Sequence, residues 1–424
     1  MQSTPPPPPR SLAETGLGER FLLDLLLKNM LRLGHQTVSE MSGTLKVVNQ
    51  VTEDLIAVGR EAKLIQTLGA LGAALTAELR YEMTDAGRAW AFDALTQCEY
   101  IGAAPVPLEQ FIEQVGRQSI RREVIGRGAL EKVLHGLILP SEVSDAVGPA
   151  ANSASSMLLY GPPGNGKSSI ANAICAAFED SIYVPEAIEV DRQIITVFDA
   201  TVHRLVDGDE GTSGLRAKTS YDLRYRICQR PVVITGGELT IGMLDLAFTP
   251  SSHIYEAPLQ LKAAGGVFVI DDFGRQREQP QALINRWIIP LESGHDYLML
   301  NSGRKFEAPF DTLVIFSTNI PPKQLVDDAA LRRIRHKIEI GRPTRDMFIR
   351  IFVEACRRRK IALNEDILAF IVSDLYVAEK KPYAAFQAEF LLDQITSICA
   401  YEGIPPQLNA HFLRRAWRNL FTSA

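Results

Sequence analysis

Residues Gly161 to Ser168, GPPGNGKS, fit the pattern G-x-x-x-x-G-K-[ST], in which a glycine-rich loop wraps around phosphate groups. An apolar strand, MLLY, precedes this loop and a helix, SSIANAICAAF, follows it, as the pattern requires. Backbone amides and the helix N-terminus would bind the phosphates, Lys167 would neutralise their β- and γ-oxygens, and the Ser168 hydroxyl would bind Mg²⁺. The nucleotide-binding residues predicted in this way are Gly161, Pro162, Pro163, Gly164, Asn165, Gly166, Lys167, Ser168 and Ser169.

Two adjacent carboxylates, Asp271 and Asp272, follow a second apolar strand, VFVI. A carboxylate at this position can hold Mg²⁺ through the water shell of the ion, so Asp271 is predicted to share the metal with Ser168. Asp272 stands one residue further on, where a base would align an attacking water. Together with the phosphate loop, this pair predicts a site that cleaves a phosphate bond.

A third apolar strand, TLVIFST, ends at the polar residue Asn319, and the arginine-rich segment DDAALRRIRHKIEIGRP follows. These features occur in the order typical of the AAA+ ATPases, and the chain resembles this family over about residues 122–424. The resemblance implies binding and hydrolysis of ATP with Mg²⁺. It also implies that Asn319 is the sensor-1 residue, which contacts the γ-phosphate or the attacking water.

The same resemblance gives a role to the arginines of ALRRIR. Arg333 looks like the finger that reaches into the site of a neighbouring subunit, with Arg332 and Arg335 as the alternatives. A finger supplied by a neighbour acts only in an assembly, so the resemblance implies a homo-oligomeric ring, usually a hexamer.

Most AAA+ proteins have glutamate where this chain has Asp272. Aspartate is one methylene shorter, which moves its carboxylate about 1.5 Å back from the water, and misplacement on this scale can cost about 100-fold in rate. However, the sequence Ile-Asp-Asp is similar to that of the replication-initiator and helicase-loader ATPases. We therefore expect hydrolysis of ATP to ADP and phosphate, at a low rate.

The spacing of the motifs departs from the family pattern. Lys167 and Asp271 are 104 residues apart, tens more than a minimal AAA+ core uses, and the excess lies between about residues 186 and 258. This insert would face the substrate side of the protein or the interface between subunits, or it only adds structure at the surface.

The C-terminal region departs from the family in one residue type. Its pattern predicts a lid of amphipathic helices at residues 344–358, 364–376, 388–401 and 408–421. No arginine occurs between Arg359 and Arg414, and Glu389 stands near the usual place of a sensor-2 arginine. That arginine is therefore missing or is supplied by another part of the chain.

The segment DYLMLNSGRKFEAPF predicts a hairpin that turns at residues 301–304. A hairpin before the sensor-1 strand resembles the AAA+ branches that include the MoxR-type ATPases and the enhancer-binding activators. The GAFTGA loop of the activators is absent, which argues against that role.

Residues 17–100 are predicted to form three helices and a two-stranded wing, an order that resembles a winged-helix domain. The third helix would present Lys46, Asn49 and Gln50, but also Glu53 and Asp54. The module holds eight Lys and Arg against eleven Asp and Glu, so nucleic-acid binding is open but not favoured over protein binding.

Length and composition indicate the number of domains and the class of protein. With 424 residues, 46% hydrophobic and 22% charged, the chain should fold into two or three domains, and its net charge of −5 gives no overall attraction to nucleic acid or anionic membranes. Apolar runs are too short to span a bilayer, and five widely spaced cysteines suit reduced thiols, so we expect a cytoplasmic protein without membrane insertion.

The sequence thus predicts an α/β fold: a parallel-sheet P-loop AAA+ core with a C-terminal helical lid, preceded by a small α+β domain. The expected parts are a disordered proline-rich tail (1–16), a winged-helix-like domain (17–100), a linker (101–121), the nucleotide-binding core (122–343) and the lid (344–424). The expected function is ATP-driven remodelling or assembly of a protein complex, with the unknown client recruited by residues 17–100. The alternatives are a DNA-associated ATPase, acting in replication, transposition or transcription, and a scaffold that binds ATP but barely hydrolyses it.

Overall fold

The computed structural model describes residues 4–70, 78–206 and 221–421. Its N-terminal elements are α1 (Glu19–Leu33), α2 (Val38–Leu45), α3 (Asn49–Glu61), β1 (Ile65–Ala70), β2 (Leu79–Met83) and α4 (Asp85–Gln97). β1 and β2 pair antiparallel, and the apolar faces of the helices share one core. α2 begins with a capping box, in which Thr37 Oγ1 accepts the amide of Glu40 and the Glu40 carboxylate accepts the amide of Thr37.

The segment expected to be a linker is folded. It contains β3 (Val106–Pro107) and α5 (Leu108–Arg117), and α5 buries Phe111 and Val115. A two-residue strand has no periodicity of its own, so the sequence pattern could not reveal β3.

The described part of the expected tail lies against the protein. The carbonyl of Pro6 accepts the amide of Asp222 at 2.8 Å, and the carbonyl of Thr4 accepts Gln114 Nε2 at 3.0 Å. Pro6 and Pro9 are buried. Proline cannot donate a backbone hydrogen bond, but its carbonyl still accepts one, so an extended proline segment can dock in this way.

The core of the chain is an α/β layer structure. Its elements are α6 (Arg127–Leu134), α7 (Ser141–Asn152), β4 (Ser156–Tyr160), α8 (Lys167–Ala176), β5 (Ser181–Pro185), β6 (Ala187–Val190), β7 (Gln193–Thr196), β8 (Tyr225–Gln229), β9 (Val232–Thr235), β10 (Ala247–Thr249), β11 (Ile254–Glu256), α9 (Leu259–Lys262), β12 (Gly266–Ile270), α10 (Pro280–Arg286), α11 (Ile288–Ser293), β13 (His295–Met299), β14 (Lys305–Pro309), β15 (Thr312–Thr318), α12 (Pro322–Leu325), α13 (Asp328–Arg333) and β16 (His336–Glu339).

A parallel sheet in the order β16-β4-β15-β12-β9 lies at the centre of this core. β12 and β15 are buried along their whole lengths, as expected of strands covered by helices on both faces. Since neighbouring parallel strands end at the same edge, β4, β15 and β12 bring their carboxyl ends together. The predicted α/β fold with a parallel sheet is confirmed.

Four strands of the insert between Lys167 and Asp271 pair with β3 in a second sheet, which joins the core to the N-terminal elements, whereas β9 belongs to the central sheet. The strand order is β10-β11-β7-β6-β3, and β5 pairs with β8 beside it. Ala187 and Ile194 of the insert are buried in the core of the N-terminal elements. The described part of the insert is thus the platform on which the N-terminal elements rest.

The predicted hairpin and lid are also confirmed. β13 and β14 pair antiparallel, with Met299 opposite Lys305 across the turn. The lid contains α14 (Arg345–Arg358), α15 (Glu365–Ala369), which continues as a π-helix (Phe370–Val377), α16 (Phe386–Tyr401) and α17 (Ala410–Leu420). In the described ranges, none of the helices combines the length and apolar character needed to cross a membrane.

A buried arginine joins several of these parts. Arg224, 2% exposed, forms hydrogen bonds with the Asp222 carboxylate, the carbonyls of Thr15 and Pro105, and Gln110 Oε1. It therefore ties the N-terminal segment, the connector and α5 to the insert.

We expect Arg224→Met to destabilise the protein by about 3 to 5 kcal/mol, because Asp222 would remain buried without its counter-charge. The thermal unfolding midpoint of the full chain measures this effect. Arg117→Met is the matched control: it breaks an exposed ion pair with Glu113, worth at most about 1 kcal/mol. Equal midpoints for the two variants would contradict the prediction.

Candidate nucleotide-binding site

The loop between β4 and α8 has a backbone that requires glycine. Gly161 and Gly164 have φ of 141° and 75°. A Cβ at Gly161 would lie 2.3 Å from the carbonyl oxygen of Ile340, and one at Gly164 would lie 2.2 Å from the Phe386 ring. These two glycines allow the loop to pass close to the residue after β16 on one side and to the lid on the other.

Lys167, the first residue of α8, is 6% exposed, and its ammonium group has three oxygen partners. Lys167 Nζ donates to the carbonyls of Gly161 and Pro162, both at 3.0 Å, and to Asn319 Oδ1 at 2.6 Å. The pKa of Lys167 is lowered, because the effect of burial is larger than the opposite effect of the charges of Asp271 and Asp272. The structure thus brings the predicted lysine of the loop into contact with the predicted residue that follows β15.

The two aspartates stand at the end of β12, beside the loop. Asp271 Oδ2 accepts the hydroxyl of Ser168 at 2.7 Å, and Asp272 Oδ1 accepts Asn319 Nδ2 at 3.1 Å. Asp272 has φ of 48°, a left-handed conformation that costs about 1 to 3 kcal/mol and is concentrated at functional sites. Hydrogen bonds therefore connect residues from the ends of β4, β12 and β15, which lie far apart in the sequence.

Ser168 and Asp271 fit Mg²⁺. Their oxygens are in direct contact, and hard oxygen ligands are those that this ion prefers. Within the described ranges, His, Cys, Asp and Glu form no group of three or more that could hold a metal ion. An ion held by Ser168 and Asp271 would therefore complete its shell with phosphate oxygens and water, as Mg²⁺ commonly does.

A cavity of about 600 Å³ opens above these residues. Of the predicted residues, 163–169 of the loop, the two aspartates and Asn319 line this cavity, whereas Gly161 and Pro162 are not in its lining. The lining also contains residues that were not predicted to bind: Gly136, Leu137, Ile138, Leu139, Ser317, Ile351, Glu354, Arg358, Ala385, Phe386 and Glu389. Residues 137–139 form an apolar wall suited to a flat ring, and the lid supplies a charged wall. An apolar run between two helices, LIL, was the available signal for the first wall.

The three candidate finger arginines lie elsewhere. None of Arg332, Arg333 and Arg335 is among the described residues that line the nucleotide cavity; all three line another cavity, of about 400 Å³. Arg333 Nη1 donates to the carbonyl of Ala329 at 2.7 Å, and Arg333 Nε lies 2.8 Å from Glu292 Oε1 without hydrogen-bond geometry. Arg332 and Arg335 are exposed. The geometry leaves all three candidates open.

Two segments of the chain match family models. Residues 157–211 match the family described as "ATPase family associated with various cellular activities (AAA)", and residues 344–419 match a domain of unknown function, DUF8689. No curated protein matches the chain.

Solved structures of similar fold include NtrX from Brucella abortus in complex with ATP, at 13% identity and a TM-score of 0.41, covering 67% of this chain and 54% of that one. The RuvB Holliday junction branch migration motor from Thermotoga maritima is similar at 15% identity and a TM-score of 0.35, covering 74% and 72%. The chain spans between 54% and 67% of the length of three NtrX chains that it matches. The segment that matches the AAA family includes the phosphate loop, Gly161 to Ser168.

Proposed function

We propose that the chain is a Mg²⁺-dependent ATPase of the AAA+ type that assembles into a ring and remodels or assembles a protein complex. One observation carries the ATPase part: Lys167, Asn319 and Asp272 form a hydrogen-bonded chain, and Ser168 contacts Asp271 beside it. A phosphate-binding cation, a metal-binding pair and a water-orienting pair are then within one site.

Each of these residues has a distinct role in the proposed reaction. The loop amides and Lys167 would hold the β- and γ-phosphates of ATP. Ser168 and Asp271 would hold Mg²⁺, which neutralises charge on the phosphate oxygens when bound. Asn319 positions the Asp272 carboxylate, which would orient the attacking water and accept its proton. The short aspartate side chain supports a slow reaction.

The N-terminal elements support a protein client more than DNA. Lys46 ends α2 with φ of 59°, so it does not belong to α3, the candidate reading helix. Glu53 is exposed on α3. Gln50, one of the side chains predicted to face DNA, donates its Nε2 to Asp54 at 2.9 Å, so this hydrogen bond competes with any contact to a base. Carboxylates on this face would oppose the DNA phosphates.

Turnover of ATP by the full chain tests the proposal. We expect slow release of phosphate that requires Mg²⁺, is abolished by EDTA and changes less than about twofold when duplex DNA is added at low salt. Stimulation by DNA with a steep dependence on salt would instead support the DNA-associated alternative. Binding of ATP without any turnover would support the scaffold.

Capture of the client is the second part of the test. Asp272→Asn should bind ATP and stop before hydrolysis, so a client recruited in the ATP state should co-purify with this variant in ATP but not in ADP. A protein that is retained by Asp272→Asn and lost when residues 17–100 are mutated on the exposed face of α3 would support recruitment by that module.

A further inference from the structure

A carboxylate lies where the proposed function needs to accommodate negative charge. Glu389, in the first turn of α16, lines the nucleotide cavity together with Glu354 and Arg358. An unpaired carboxylate would repel the phosphates of a nucleotide at short range. Binding of a nucleotide beside Glu389 therefore requires that other side chains neutralise this carboxylate.

Two consecutive arginines from the end of α14 neutralise Glu389, and they do so unequally. Arg358 Nη2 donates to Oε1 at 2.6 Å. Arg359 donates to Oε2 through Nε at 3.1 Å and Nη2 at 2.5 Å, and its Nη1 also donates to Asp393. The Arg358 side chain is 55% exposed and that of Arg359 only 28%. Arg359 is thus fixed by two carboxylates, whereas Arg358 is attached to Glu389 alone among the described residues.

The start of α16 is attached to the phosphate loop. The amide of Phe386 donates to the carbonyl of Gly164 at 2.9 Å, and the amide of Ala385 donates to Asn165 Oδ1 at 3.2 Å. Glu389 follows Phe386 by three residues, so the two lie on neighbouring positions of the same helix face. Glu389, the partner of Arg358, therefore lies about one helical turn along α16 from the residue that contacts the loop, and Arg358 lines the same cavity as the loop.

We propose that Arg358 is a second phosphate-binding cation of this site. When a nucleoside triphosphate binds, Arg358 exchanges its contact with Glu389 for a contact with the phosphate oxygens. Arg359 keeps Glu389 neutralised during the exchange, so the Glu389 carboxylate is not left without a counter-charge. The exchange links α14 and α16 to the occupied loop and makes the lid sensitive to the nucleotide. This inference rests on the proposed function, because it requires the cavity to bind a polyphosphate.

Equilibrium titration of the full chain with ATP and with ADP, in Mg²⁺, tests this assignment. Arg358→Gln is expected to weaken ATP binding at least about tenfold, the value of a lost charge-assisted hydrogen bond, and to weaken ADP binding less. Arg350→Gln, which removes the same charge from an exposed position of α14 outside the cavity lining, should change ATP affinity less than about threefold. Arg358→Lys should restore part of the affinity.

The variant Glu389→Gln tests the exchange itself. Without the competing carboxylate, Arg358 is free for the phosphates, so ATP should bind several-fold more tightly. The gain should shrink in the double variant Arg358→Gln/Glu389→Gln, because Arg359 stays bound to Asp393 whereas Arg358 is the arginine of the cavity lining that Glu389 releases. The midpoint of unfolding without nucleotide should stay within a few degrees in Arg358→Gln, since the ion pair is half exposed.

The outcomes separate this inference from the proposed function. If Arg358→Gln binds ATP as tightly as the wild type while Lys167→Ala does not bind, the role of Arg358 is refuted and the nucleotide site stands. If Arg358→Gln weakens ATP and ADP equally and Arg358→Lys restores nothing, a structural role replaces phosphate binding. If the wild type itself binds no ATP, the proposed function fails, and the inference with it.

Discussion

Lys167→Ala is expected to weaken ATP binding by at least about 100-fold, because the loop would lose its only side-chain cation and the charge-assisted hydrogen bonds that it can form with the phosphates. In the structure, Lys167 Nζ donates hydrogen bonds to three oxygens, the carbonyls of Gly161 and Pro162 and Asn319 Oδ1. No other side chain in the predicted phosphate loop can replace this charge. Titration of the full chain with ATP in Mg²⁺ measures the effect.

Two controls make the Lys167 result specific. Lys323→Ala removes an equal charge from an exposed position of α12, outside the cavity lining, and should leave ATP affinity unchanged. The unfolding midpoint of Lys167→Ala should lie well above the temperature of the titration, which shows that lost binding is not lost folding. Retained ATP affinity in a folded Lys167→Ala variant would overturn the assignment of the site.

The parts of the site that the sequence revealed share one physical property. Lys167, Asp271 and Asn319 each follow an apolar strand closely, and neighbouring parallel strands bring their carboxyl ends together. Local signals in three distant segments therefore sufficed to predict that these side chains would meet. Hydrogen bonds between Lys167 and Asn319, and between Asn319 and Asp272, show that they do.

The lid residues could not be predicted from local patterns in the same way, and only the family resemblance placed Glu389 near the site. Arg358 and Glu389 lie on the polar sides of amphipathic helices, where charged residues are normally just solvated. Their place in the cavity depends on how the lid docks, which two backbone amides, those of Phe386 and Ala385, help to fix. Amide donors are present in almost every residue, so no sequence pattern marks the ones that make this contact.

The connector and the tail illustrate a second limit. The strand Val106–Pro107 is too short to show alternation, and its pairing partner, β6, lies in a distant part of the sequence. Residues 4–9 look disordered by composition, yet the carbonyls of Thr4 and Pro6 accept hydrogen bonds from buried residues. Both segments fold because of long-range contacts that local propensity does not encode.

Removal of the arginine finger is expected to reduce ATP turnover about 1,000-fold or more while ATP binding is retained, because a finger acts on the charge of the transferring phosphoryl group. Arg333→Ala, Arg332→Ala and Arg335→Ala should be compared at equal protein concentration. The contacts of Arg333 with Ala329 and Glu292 would have to break before it could reach a neighbour, whereas Arg332 and Arg335 are already exposed.

Mixing two inactive variants shows whether the finger acts between subunits. The finger variant retains Asp272, and Asp272→Asn retains the finger. A subunit interface (seam) is complete when the finger variant supplies the nucleotide site and Asp272→Asn supplies the arginine. In a randomly mixed ring about one seam in four has this composition, and turnover should recover toward that fraction of the wild-type rate. Because neither variant alone contains a complete seam, recovery can arise only from contacts between subunits. A mixture that stays as inactive as its components, in rings shown to exchange subunits, would place the finger within its own chain or rule out that arginine.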